Sequence, residues 1–482
     1  MDEEINKNEI NEPEIKIKSV KLKTKIFEFF YIILNKKDKT SKFTLIFLHI
    51  LEIIQIISYA FFQPHLMIWK ISPKNINIIS LIISVFRLTP LLNYTSYNIY
   101  ITCFIVLFFL ILAFFVIIIM QILFWKENSK IYNGLLSFTH IMIAPLTIFF
   151  FIPINELLLI IFRCNNNIIN ITNHVMKCWT RIHLLYLILS IIGVLLFLIS
   201  IIFLNFFYFY PFQSETSTIK LNSIIDVILL IIKIIYVLRL IFINNENLSI
   251  AILLLLSFFL LLKEFRNPTY NCNILEIIIN IRNSLIVWTF LILFISKLCE
   301  KSEINGLIYL VFVGYPIIIV ISIIFTQESD NDFNFNNSNL HNIKTCLSKT
   351  RLLIKLVNSF LEKNNNNFKY FENGTKDDIL LKGIIKIHTE RCLDEECPLK
   401  KFLKNDGNFT IQKQCLLNYM TIYFNKVMKY FPYNKILRLY YVQFNYSKKY
   451  NLSSVRGNLE YIKKMKNNIK EEFIIYYILK MK

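Results

Sequence analysis

Glycine is scarce in this chain: there are eight in 482 residues, and only Gly193 and Gly314 fall well inside strongly hydrophobic segments, away from their ends. A potassium-type filter needs a glycine-bearing carbonyl loop, glycine zippers need small residues four apart, and broken-helix transporters need Gly/Pro interruptions in paired positions. None of these patterns is visible. Catalytic signatures are missing as well. There is no Walker loop, GxSxG elbow, HExxH pair or kinase motif, and the few carboxylates after residue 326 show no acid–base pairing, so the chain is not expected to be an enzyme. The nine cysteines lack the dense, even spacing of a secreted disulfide scaffold and are expected mostly as buried thiols.

Apolar sequence is abundant. Hydrophobic residues make up 55% of the chain, and the mean hydropathy is +0.50. Eight blocks reach the roughly 20 residues a helix needs to cross about 30 Å of hydrocarbon: 43–62, 99–125, 132–162, 183–208, 224–244, 247–262, 276–297 and 304–325. The stretch 76–92, interrupted by Arg87 and Pro90, reads as an interfacial or re-entrant helix. Pro145, Pro153 and Pro316 are expected to kink their spans. The 42 residues before the first block hold ten lysines and eight acids, too long and too acidic for the head of a cleaved signal, so that block is a retained span. The expected fold is an all-α polytopic helical membrane bundle of about eight spans followed by a small cytosolic α-helical region. Its parts are a basic N-terminal arm (1–42), a transmembrane domain (43–326), a polar linker (327–348) and a helical region (349–482).

Charge orients this plan. The lysines before the first block place the N-terminus in the cytosol, and eight crossings return the C-terminal region, with 27 Lys+Arg against 15 Asp+Glu in 327–482, to the same side. The net charge of +20 is then read as facing anionic lipid headgroups, with no nucleic acid as partner. The loop 163–182 falls outside. It carries Cys164 and Cys178, an oxidised pair or two free thiols, and the acceptor pattern Asn170-Ile171-Thr172.

Ionisable residues within hydrocarbon are costly and mark the first places to look for transport or sensing. Here they are Glu52, Glu156, Asp226, Lys233, Arg239, Glu276 and Arg282. Asp226 and Lys233, seven apart, share a helix face about 10 Å from one another. The alternative is that these groups snorkel to the interface or bond helix to helix.

Past the linker, helical periodicity returns over 349–363, 377–391, 412–430, 434–448, 454–467 and 471–481. Phe431-Pro432 and the turn at 450–452 punctuate short paired helices, and Leu437 to Phe444 is similar to the first helix of a tetratricopeptide (TPR) unit. His388 and Cys392 are four apart on one helix face, and Cys397 follows. These three are either zinc ligands, with a fourth from His341, Cys346 or Cys415, or the packed end of a helix that Pro398 stops.

The string from Lys382-Gly383-Ile384 through His388, Cys392 and Cys397-Pro398-Leu399-Lys400, with Phe431-Pro432, Leu437-Arg438-Leu439-Tyr440 and the last-span segment Leu310 to Pro316, resembles the tiny macrocysts protein family of protists. The resemblance implies a polytopic membrane protein with TPR-like helices behind its spans. Longer members continue into further repeats and a PAS-type sensor, so this chain is expected to correspond to an N-terminal portion. The function expected is a membrane-anchored scaffold or signalling component that binds a protein partner through its cytosolic helices. The alternative is an ion channel or transporter using Glu52, Asp226, Lys233, Glu276 and Arg282. A seven-helix-type receptor fits the span count only loosely, and no receptor motif is present.

Overall fold

The computed structural model describes residues 11–35, 41–61, 97–123, 130–163, 168–171, 174–207, 223–243, 245–266, 273–299, 307–331, 376–391, 397–404, 409–447, 452–465 and 467–480, with isolated positions between 65 and 69 and between 346 and 360. It divides into two compact units with the boundary between Glu328 and Ser329. The expected re-entrant stretch 76–92 lies outside the described residues.

The first unit is a helical bundle: α1 (Asn11–Asn35), α2 (Lys42–Ile57), α3 (Tyr97–Leu123), α4 (Lys130–Ile148), α5 (Phe151–Leu159), α6 (Arg181–Phe207), α7 (Ser223–Phe242), α8 (Glu246–Arg266), α9 (Asn273–Leu298) and α10 (Leu307–Asn331). Seven of the described helices are long and apolar enough to cross a membrane. At 20 residues, α7 has the length, about 30 Å of rise, but carries Asp226, Lys233 and Arg239. Side-chain exposure separates the bundle's centre from its rim. In the spanning window of α9, 56% of residues are buried, against 17% in α3 and in α10. The outward Leu, Ile and Phe side chains of α3 and α10, such as Leu110 and Phe312, form the apolar surface that a bilayer covers.

One expectation is corrected here. The block 132–162 is not one kinked span but two helices, α4 and α5. Pro145 sits in the last turn of α4, and both Phe149 and Phe150 donate their N–H to its carbonyl (3.0 and 2.9 Å). Pro153 then lacks the N–H that would tie it back to Phe149, so the helix restarts at Phe151. Within the segment 1–42, α1 packs on the bundle. Phe27, Phe29, Phe30 and Ile33 of α1 are buried, Phe30 stacks on Phe207 (centroids 4.7 Å apart), and Lys25 Nζ caps the end of α3 by donating to Leu123 O at 2.9 Å.

Between α5 and α6 lies an antiparallel hairpin that the sequence reading did not anticipate, β1 (Ile168–Ile171) and β2 (His174–Lys177), in register Asn170↔Val175. Cys178 is disulfide-bonded. Its expected partner Cys164 is outside the described residues. Trp179, at φ 66°, is the described non-glycine residue in the left-handed region. Its N–H donates to His183 Nδ1 (3.1 Å), which leaves His183 Nε2–H to donate to Ile161 O (3.1 Å).

The second unit contains α11 (Lys376–Arg391), α12 (Pro398–Lys404), α13 (Phe409–Tyr430), α14 (Lys435–Ser447), α15 (Leu452–Lys464) and α16 (Ile469–Lys480). One core joins Leu353, Phe360, Ile385, Leu399, Phe402 and Phe424, and a second joins Leu439, Val442, Leu459, Ile462 and Ile478 across α14, α15 and α16. Pro398 does not stop a helix, as one sequence reading had it. It opens α12 at the first helical position, where its missing N–H has no intrahelical role.

The scarce glycine has one clear use. A Cβ on Gly314 would fall on the Trp288 indole, whose Nε1–H reaches Leu310 O at 3.3 Å, so Gly314 lets α10 lie against α9. Gly314→Ala is therefore expected to destabilise the bundle by about 1–3 kcal/mol. Trp288→Leu in the same chain should restore the lost thermal stability in detergent; an additive double variant would contradict this packing.

Candidate functional site

The ionisable residues of the bundle converge. Glu52 on α2 receives Lys233 Nζ of α7 at Oε1 (2.5 Å), and at Oε2 it receives Arg282 Nη1 of α9 (2.8 Å) and His49 Nδ1 (2.9 Å). Arg282 spends its second terminal nitrogen on both carboxylate oxygens of Glu264 on α8 (3.2 Å each) and its Nε on Asn283 Oδ1 (3.1 Å). Glu52, Lys233, Arg282 and Glu264 are each no more than 4% exposed. Two carboxylates and two cations thus form a neutral quartet drawn from four helices, which is the condition under which ions are tolerated away from water.

Lys233 also donates to the carbonyls of Thr147 (3.0 Å) and Ile148 (3.1 Å). These belong to the last turn of α4, whose carbonyls the break before α5 leaves without intrahelical partners. Asn205 of α6 braces the same turn, bonding Thr147 Oγ1 at 3.0 Å.

Along α7 the buried polar groups wind about 140° around the helix from first to last. Asp226, Lys233, Tyr236 and Arg239 stand at i, i+7, i+10 and i+13, a rise of about 20 Å, and all four are buried. Asp226 lies within electrostatic reach of Lys233 and Arg282. Tyr236 packs on Tyr59 (5.9 Å), Tyr59 donates to Glu156 Oε1 (2.7 Å), and Arg239 lies over the Tyr59 ring (5.8 Å) while reaching Ser249 O (3.4 Å). Next to Ser249, Ile250 helps line a cavity of about 590 Å³ with Asn245, Glu246, Phe294 and Lys297, where Lys297 pairs with Glu246 at 2.8 Å.

Of the residues singled out in the sequence, Glu52, Lys233 and Arg282 are brought together, and Asp226 lies beside them. Glu276 is half-buried in the first turn of α9, outside the buried quartet. Glu264 and His49 were missed. The hydrophobic block ended at 262, so Glu264 read as flank, although α8 runs on to Arg266. His49 was legible as the i−3 neighbour of Glu52.

In the second unit His388 and Cys397 come together, with Nδ1 3.6 Å from the Cys397 sulfur and Nε2 3.0 Å from the Tyr419 hydroxyl. Burial, with the nearby Lys426 charge, pushes the His388 imidazole below its ordinary value. Burial also raises the thiols of Cys346 and Cys415, against the deprotonation that zinc ligation requires. Cys392 and His341 lie outside the described residues. Among the described residues no group of three metal-ligating side chains forms.

No family model, curated protein or solved structure matches the chain.

Two outcomes are expected. Arg282→Met takes the guanidinium from Glu264 and one of three donors from Glu52, and should cost about 3–5 kcal/mol, the usual penalty for breaking a buried ion pair. Adding Glu264→Gln should recover part of that loss in thermal melting, and no recovery would show that the two do not act as a pair. Because Cys397 and Tyr419 already satisfy both His388 nitrogens, chelation should leave hydrogen-exchange protection in α11 and α13 unchanged. Stoichiometric zinc in the purified protein would overturn that.

Proposed function

We propose that this chain is a multi-pass membrane protein that moves a small ion through its bundle, past the buried polar residues of α7. The observation that carries the reading is the buried file Asp226–Lys233–Tyr236–Arg239, about 20 Å long by helix rise, with one end toward the cavity at Glu246 and Lys297. Apolar side chains would pack such a bundle at lower cost, so charges kept at this depth favour a polar pathway over mere cohesion. The quartet at Glu52 closes the path in this conformation, since its members have almost no exposure.

The disulfide at Cys178 supports placing the 163–182 loop on the outer side of the membrane, with both termini in the cytosol. A second reading, a scaffold or signalling role through the cytosolic helices, has its own support. Helices α14 and α15 pair, α16 packs back on α14, and Arg438 is clamped between Pro432 O, Asn458 and the Tyr461 ring, in the manner of a TPR-like unit awaiting a protein partner.

Flux measured in proteoliposomes tests the first reading. Wild type should pass protons, alkali cations or anions, and Glu52→Gln/Lys233→Met, which removes one charge of each sign, should lose the flux while still melting cooperatively at a lower temperature. A wild type inert to every ion class, or a double variant as active as wild type, would refute it.

A further inference from the structure

Lys233 ends in the gap between α4 and α5, where its ammonium donates to two carbonyls and pairs with one carboxylate oxygen. Three oxygens surround it: Glu52 Oε1, Thr147 O and Ile148 O. The Phe151 ring lies 5.9 Å from the same nitrogen, on the side where α5 begins. The two carbonyls stand at a helix C-terminus, where partial negative charge collects. They are held independently of the lysine, because Thr147 Oγ1 donates to Ile143 O (2.5 Å) and accepts from Asn205. Removing the ammonium would therefore leave an oxygen cradle rather than a collapsed cavity.

The charge of that cradle selects its occupant. It sees one carboxylate, and the second oxygen of that carboxylate is already committed to Arg282 and His49. A divalent ion would demand more anionic oxygen than this. A small monovalent cation would not. We propose that the break between α4 and α5 is a monovalent-cation site for which Lys233 supplies a tethered occupant, so that deprotonation or withdrawal of Lys233 opens the site to an alkali or ammonium-type ion. This deepens the transport reading and rests on it for the site's role in flux, though not for binding itself.

The groups facing Lys233 are consistent with exchange. Glu52 from α2, Arg282 from α9 and Asp226 from its own helix act on it electrostatically. Glu264 of α8 and His49 of α2 act through Arg282 and Glu52, α5 contributes Glu156, bonded to Tyr59, and α6 contributes the uncharged Asn205. Loss of the Lys233 proton would leave a carboxylate and two carbonyls facing an uncharged amine, and an incoming cation restores the balance.

The test uses the full-length protein in detergent, with melting followed in sodium or methylammonium chloride against choline chloride at equal ionic strength. Lys233→Ala should melt below wild type in choline and show a saturable upward shift with sodium or methylammonium, while wild type at neutral pH should not respond. Lys233→Ala/Glu52→Gln should lose the response. A Lys233→Met variant as stable as wild type, or a Lys233→Ala variant indifferent to the cation, would overturn the proposal. Should Lys233→Ala fail to fold, wild type at alkaline pH replaces it, where melting should become sodium-dependent and indifference would again overturn the site. Cation response without flux would sink the transport reading alone, and flux without cation response would sink this site alone.

Discussion

A carboxylate buried away from water must be matched by positive charge at close range, and in this bundle that carboxylate is Glu52. Its two oxygens receive donors from three side chains on three helices, Lys233, Arg282 and its own neighbour His49. Through Arg282 the requirement passes to Glu264 on α8, and through Lys233 it passes to the end of α4. Five helices are thus held in a fixed azimuth by one electrostatic demand. Leu, Ile and Phe packing would permit many rotations of the same helices, because an apolar face in a bilayer gains little by choosing one neighbour over another. The charges supply the orientation that the apolar residues cannot.

The break between α4 and α5 belongs to the same demand. An interrupted helix exposes carbonyls that hydrocarbon cannot satisfy. Lys233 satisfies two of them, so the ammonium needs the broken helix as much as the break needs the ammonium. Proline does here what glycine does in other interrupted helices. Pro145 crowds the last turn of α4 and Pro153 withholds an N–H from the first turn of α5, which is how a chain with so few glycines still breaks a span. Where glycine is retained, at Gly314, it serves close approach of α10 to Trp288 rather than a turn.

Six of the eight blocks match single helices long and apolar enough to cross a membrane, because hydropathy over 20 residues is a strong, one-dimensional signal; block 224–244 is a helix, α7, that carries three charges. Block 132–162 misled because its apolar character is continuous across the break, and only the prolines hinted at it. Glu52, Lys233 and Arg282 were legible as costly residues, but their meeting was not, since they lie 181 and 49 positions apart in the chain and no local pattern encodes which faces turn inward. Glu264 hid at a block end, where a carboxylate reads as solvent-facing. The hairpin before α6 is too short to rise above the surrounding Asn and Ile. In the second unit, helix boundaries from α13 to α16 followed from periodicity and the Phe431-Pro432 punctuation, whereas Pro398 was ambiguous because proline both ends helices and begins them.

The geometry of the quartet also bears on why it is built from shared rather than separate pairs. In a simple buried ion pair, separating the partners bares two charges at once, and the barrier to any movement is prohibitive. Here Glu52 has three donors and Arg282 has two carboxylates. If Lys233 moves, Glu52 keeps Arg282 and His49; if Arg282 tips toward Glu264, Glu52 keeps Lys233 and His49. Whichever of Lys233 and Arg282 shifts, Glu52 keeps two of its three donors, so the buried carboxylate does not depend on the position of any single neighbouring helix.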